Sequence, residues 1–187
     1  MVSGFGDGAI ATQRVGGQIE SITWNVADGF AAALNAFSAQ NYGAGKIDRV
    51  KKGYYLSAAV IAAWGSLIGL LFFLFPNGIA NIFFHEPEVI LIAMGYLTII
   101  ALGEPFMCVE IVSSGAISGL GNTKLCSMIS ILFTGSRIPL AYVLSQTSLG
   151  LKGIWWALTI TSICKGIVFV LAFRKQSTKR LNTTLPL

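Results

Sequence analysis

Six ionisable side chains fall inside otherwise apolar stretches of this chain: Glu20, Asp28, Glu104, Glu110, Arg137 and Lys165. A charge at the centre of a bilayer costs a few kcal/mol even on insertion scales, so such groups normally face a bundle interior or a wet cavity. Four acids and two bases spread over several helices describe a shared polar interior, suited to proton or cation coupling and to substrate binding. The competing reading is interhelical pairing, for example Asp28 or Glu104 with Lys165. Asn25 and Asn35, among the small residues of the first segment, add amide groups that can bond across helices. Glu104 precedes Pro105, which removes a backbone donor and frees carbonyls for water or ions, so an acid beside a helix break is a candidate ion or proton site. Glu104 and Glu110 lie roughly 120° apart around a helix, which argues against a paired-carboxylate catalytic site.

The elements that must hold these groups are membrane helices. From Gly53 to Phe84 no Asp, Glu, Lys, Arg or His occurs, and Lys51 and Lys52 stand in front of that run. About 20 apolar residues suffice to cross the ~30 Å hydrocarbon core. Hydrophobic residues make up 54% of the 187-residue chain and charged residues 11%, with a mean hydropathy of +0.71, far from a soluble domain. The formal charge of +5 is clustered at segment ends, which suits a topology signal better than a nucleic-acid face. Five helices are predicted, at about 10–41, 49–75, 87–118, 123–144 and 153–173, between a tail at 1–9 and a basic tail at 174–187. The first and third are longer than a perpendicular crossing needs and should tilt or bend. Residues 79–84 form a short apolar piece expected in the interface.

Several site classes drop out. Cys108, Cys126 and Cys164 lack metal or redox spacing and read as small buried hydrophobes. His85 sits at an interface, where a solvated side chain is expected. Neither Gly-x-Gly pair continues into a phosphate-binding fingerprint, so a nucleotide site is not expected. No enzyme constellation and no cofactor are implied.

Nine basic residues lie on one side (Lys46, Arg49, Lys51, Lys52, Lys124, Arg174, Lys175, Lys179, Arg180) and Lys152 alone on the other. This places the C-terminus in the cytoplasm. Tyr42, Tyr54 and Tyr55 fit the inner boundary, and Tyr142, Trp155 and Trp156 the outer. Five crossings leave the N-terminus outside, which points to a missing segment upstream.

Three patterns resemble the multidrug and toxic compound extrusion (MATE) transporters. They are Gln18-Ile19-Glu20-Ser21-Ile22 with Gly29 and Ala39-Gln40-Asn41-Tyr42-Gly43-Ala44-Gly45-Lys46; Ser114 to Thr123; and Arg137-Ile138-Pro139-Leu140-Ala141-Tyr142 with Gly153-Ile154-Trp155. Ser118 and Asn122 depart from the family's usual Arg and Asp. The resemblance implies an all-α integral membrane protein: a five-helix bundle like the C-terminal lobe of a twelve-helix transporter, lacking its first helix. It further implies export of organic cations or drugs by antiport with H+ or Na+, in a multi-pass cell-membrane protein. The implied partners are membrane lipid, the drug substrate, and a missing N-terminal lobe or another copy, with no nucleic acid. Some family members carry a cation-coupling acid on the helix equivalent to the third segment. Alternatives are a lobe of a lipid-linked oligosaccharide flippase, favoured by a basic cavity, and a truncated non-transporting fragment. DNA upstream of Met1 separates these readings: an open frame for seven more helices supports the transporter, and a stop supports the fragment.

The orientation has a direct check. With Lys179→Cys, an impermeant thiol reagent is expected to leave intact cells unlabelled at that position; rapid labelling there would reverse the topology.

Overall fold

The computed structural model describes residues 2–184, with side chains described as far as Thr178. A 3-10 turn, Val2–Phe5, leads into seven helices: α1 (Asp7–Gly43), α2 (Ile47–Leu74), α3 (Pro76–Phe83), α4 (Pro87–Ala101), α5 (Glu104–Gly119), α6 (Thr123–Ser145) and α7 (Leu151–Thr184). No strand occurs among the described residues. The architecture is the all-α membrane class expected, with seven helices in place of five.

The two extra helices have local causes. Phe75-Pro76 ends α2 and starts the short α3, proline supplying the fixed φ of a first helical turn. The third predicted segment, 87–118, breaks into α4 and α5, which meet at 52°. Pro105 has no N–H, so the Ala101 carbonyl loses its usual donor four residues on, and a new helix begins at Glu104-Pro105. The outer bounds of the remaining segments hold to within a few residues, except at the ends of the chain. There α1 takes in part of the expected 1–9 tail, and α7 runs far beyond residue 173. Arg174 and Lys175 of the expected basic tail are exposed on α7, whereas the side chains of Lys179 and Arg180 lie outside the described residues.

Three helices (α2, α6 and α7 as far as Thr178) are long and apolar enough to cross a membrane, and the bent α4–α5 pair makes a fourth candidate crossing. Helix α1 has the length but not the apolar composition, because it carries Glu20, Asp28 and several amides. Its polar face therefore needs protein or water beside it.

Packing centres on the break. Helix α5 lies against α1, α2 and α7, and α6 leans mainly on α7. One core cluster joins Val50, Tyr54 and Ile61 of α2 to Cys108, Val112 and Ile117 of α5 and to Phe169 and Phe173 of α7. A second gathers Ile19, Phe72, Tyr96, Leu97, Ile100 and Trp155 around α4. Helix α2 meets the break through Gly65 and Gly69. A Cβ at 69 would sit 2.6 Å from the Ala101 carbonyl oxygen, and one at 65 would sit 2.8 Å from Pro105 Cα. Any side chain at either position would push α2 away, so these glycines let backbone approach backbone, as small residues do between membrane helices.

Tyr54 and Trp155, expected as boundary aromatics, are instead 1% exposed. Ser113 donates to the Val109 carbonyl at 2.6 Å, so its 2.8 Å contact with Tyr54 has the phenol as donor. Trp155 donates its indole N–H to Gln13 Oε1 at 3.1 Å. Both rings have a polar handle satisfied inside the bundle, which removes any need for the interface. Cys108 and Cys126 are buried as expected, but Cys164 is exposed.

Candidate functional site

The membrane-depth residues separate into two groups. The first lies at the break. Glu104, in the first turn of α5, is 0% exposed, and neither of its carboxylate oxygens has a hydrogen-bond partner. Glu20 on α1 is 3% exposed and Tyr96 on α4 2%. The Tyr96 hydroxyl donates to Glu20 Oε1. The ring of Tyr96 stands edge-on to Trp155, centroids 5.2 Å apart, which fixes the phenol's direction. Glu20 and Glu104 are near enough to feel each other's charge, as are Tyr96 and Glu104. Thr159 of α7 closes the far side by donating to the Ile99 carbonyl at 3.1 Å.

Arg137 reaches toward this group from α6. Its Nε donates to Thr161 Oγ1 at 3.0 Å and its terminal nitrogen to Ser162 Oγ at 2.9 Å. It acts on Glu20 through its charge without direct contact. A guanidinium held by two hydroxyls on a neighbouring helix can compensate a buried acid at a distance without bonding to its oxygens.

The second group lies on the α1–α5 face. Asp28, Asn35, Glu110, Ser114 and Ser118 line an open cleft of about 360 Å³ floored by Ala31, Ala32 and Gly115. Gly115 packs directly on the Ala31 carbonyl, so the two helices touch and their polar side chains stand around the rim. Glu110 Oε1 and Lys165 Nζ form an ion pair at 2.7 Å. Lys165 thus pairs neither with Asp28 nor with Glu104, the partners suggested by sequence. The reason is rotational: the ~100° per residue of an α-helix carries position 110 round to the α7 side while 104 points into the break. Asp28 and Asn25 are exposed and Asn35 half-buried, so Asp28 does not face the interior of this bundle but the cleft, which no other described element covers.

Sequence reasoning named Glu104 and Glu20, and Asp28, Asn35 and Glu110 of the cleft, but did not name Tyr96. A signal was present, because a tyrosine in mid-span within an apolar run has to find a hydrogen-bond partner. Among the described residues no group of three or more His, Cys, Asp or Glu side chains converges as a metal centre.

With this geometry in hand, comparison with known proteins is decisive. The MatE family model matches residues 1–143. The chain belongs to this family, the MATE transporters. A relative from Thermotoga maritima, described as a probable multidrug resistance protein NorM, is 28% identical over 171 residues, covering 88% of this chain and 36% of the relative. A Shewanella oneidensis protein described as an FAD transporter is 25% identical, covering 89% of this chain and 37% of that one. Among solved structures, the Vibrio cholerae MATE transporter VcmN in its bent form superposes with a TM-score of 0.90 at 19% identity, over 99% of this chain and 42% of that one. The fold is that of a MATE lobe, and the chain spans well under half the length of these relatives.

The Glu110–Lys165 pair gives a test of the site's electrostatics. Glu110→Gln strands a mostly buried ammonium and should lower stability by on the order of 3 kcal/mol. Adding Lys165→Met should recover most of that loss. Thermal unfolding in detergent checks both, and a double variant no better than the single would show that the pair is not coupled.

Proposed function

We propose that this chain is the C-terminal lobe of an exporter of organic cations or drugs, driven by antiport with H+ or Na+, with its C-terminus in the cytoplasm. The observation that carries the reading is the α1–α5 cleft. A polar, acid-bearing surface on helices of membrane length, left uncovered by the described residues, suits one wall of a substrate cavity whose other wall comes from a second lobe or a second copy. The curated relatives described as multidrug resistance proteins support the substrate class. The nine-to-one basic asymmetry supports the orientation.

The charge balance of the cleft favours this reading over a lipid-linked oligosaccharide flippase. Asp28 and Glu110 line it, and the nearest lysine, Lys165, is already paired to Glu110. A cleft with a free acid and no free base attracts cationic substrates and repels pyrophosphate-bearing ones.

Alternating access needs two repeats moving about a shared site. In liposomes with an imposed proton or sodium gradient, the chain alone is expected to show no gradient-driven movement of a fluorescent organic cation. Fused in place of the matching segment of the Thermotoga maritima relative, it is expected to support such movement. Export by the chain alone, or a chimera that inserts normally yet stays inactive, would contradict the proposal.

A further inference from the structure

We propose that the groove between α2 and α7, floored by the start of α5, seats one acyl chain of an anionic glycerophospholipid whose phosphate is held by Arg174 and Tyr55. This goes beyond the exporter reading and rests on it only for the leaflet, which the proposed orientation makes the inner one.

The apolar half of the site is a groove of about 440 Å³ on the outside of the bundle. Ala62 and Ser66 of α2 form one wall, Ile167 and Leu171 of α7 the other, and Pro105 and Phe106 of α5 the floor. Helices α2 and α7 each pack on α5 far more than on each other, which leaves the space between them. Glycine brings both walls down onto the floor. A Cβ at 65 would sit 2.8 Å from Pro105 Cα, and one at 166 would sit 2.7 Å from the Phe106 carbonyl oxygen. Among the described residues the lining has one hydroxyl, that of Ser66, and no ionisable side chain. Ile167 and Leu171 are 47% and 55% exposed. At membrane depth such a surface meets lipid chains, and a groove gives a chain dispersion contact on three sides where a flat helix face gives it on one.

The polar half lies one turn further along. Positions 167, 171 and 174 share a face of α7, as do 55, 62 and 66 of α2. Tyr55 and Arg174 therefore stand at the same end of the groove, and they touch: Arg174 Nε donates to the Tyr55 hydroxyl oxygen at 3.3 Å. That bond leaves the phenol proton and the terminal N–H groups of the guanidinium to give. Among the described residues Arg174 makes no ion pair. Paired guanidinium N–H groups match the oxygens of a phosphate. Lys51 and Lys52 lie one turn before Tyr55 and Lys175 follows Arg174, with Asp48 as the acid beside them on α2. The excess of bases favours a headgroup of net negative charge over a zwitterionic one.

The two halves are spaced as a lipid is. Along α2 the rise from Tyr55 to Ser66 is about 16 Å, close to the ~15 Å that one leaflet contributes to the hydrocarbon core. A lipid with its phosphate at Arg174 has its chain along Leu171 and Ile167 and its end near Ser66 and Pro105. An arginine that merely reaches for the interface needs no groove beneath it.

Native mass spectrometry of the delipidated full chain in detergent tests the site, with dioleoylphosphatidylglycerol and dioleoylphosphatidylcholine as the added lipids. The native protein is expected to retain one phosphatidylglycerol in preference to phosphatidylcholine. Arg174→Gln should weaken retention of phosphatidylglycerol about fivefold, the effect of one basic side chain at an anionic surface, and remove most of the preference. Ala62→Trp fills the groove and should displace both lipids; Ser66→Phe, at an exposed position, serves the same purpose should the first variant fail to fold. Lys124→Gln, an exposed base at the start of α6, is expected to change nothing. Retention without preference, or retention unchanged in Arg174→Gln, would overturn the site. So would loss in Arg174→Gln with the groove-filling variants silent, which would leave an interfacial charge with no seated chain.

Discussion

In hydrocarbon no water is available to complete a polar group, so every amide, hydroxyl and charge at membrane depth must find its partner in the chain or at a wet surface. Most of this lobe can be read as compliance with that constraint. Tyr54 donates to a serine that is already committed to the backbone, Trp155 to a glutamine from the far end of the sequence, and Arg137 to two hydroxyls one helix away. Lys165 takes Glu110. Buried polar atoms of Thr12, Trp24, Ser38, Trp64 and Gln176 also lack a partner, but among the membrane-depth charges two stand apart. Asp28 is exposed on a face that no other described element covers, and Glu104 is buried with neither carboxylate oxygen hydrogen-bonded.

Both border α5, one in its first turn and the other across the cleft on α1, and that helix links them. It begins at the break, where Gly65 and Gly69 allow α2 to lie against exposed backbone, and it ends beside α1, where Gly115 packs on the Ala31 carbonyl. A change of angle at Leu102-Gly103 would therefore move the rim of the cleft relative to α1.

Much of this was legible in the sequence. The spans were readable because a bilayer demands long uncharged runs, and the run from Gly53 to Phe84 has no other use. The break was foreshadowed by Pro105, whose missing N–H is a local property. Partner choice was not readable, because it depends on how each helix is rotated about its axis. Lys165 faces Glu110 rather than Asp28 or Glu104 through a rotation that no local motif specifies. Tyr54 and Trp155 looked like interfacial anchors because their residue types are enriched there, and only the tertiary contacts with Ser113 and Gln13 draw them inward. Asp28 is exposed in the structure rather than turned to the bundle interior, because composition alone does not separate a polar face that is covered from one that is open.

The central claim is that the α1–α5 face is a wetted, partner-facing surface and that the α2 face meets lipid. Site-directed spin labelling tests it most directly in the reconstituted chain, with Cys164→Ser removing the exposed native thiol. Labels would be placed at Ala32→Cys, in the cleft beside an intact Asp28, and at Leu67→Cys, exposed on α2. The account predicts that the label at 32 collides with a water-soluble relaxation agent and that the label at 67 collides with oxygen dissolved in the bilayer. A label at 32 that responds to oxygen and is shielded from the water-soluble agent would place that face in lipid and contradict it.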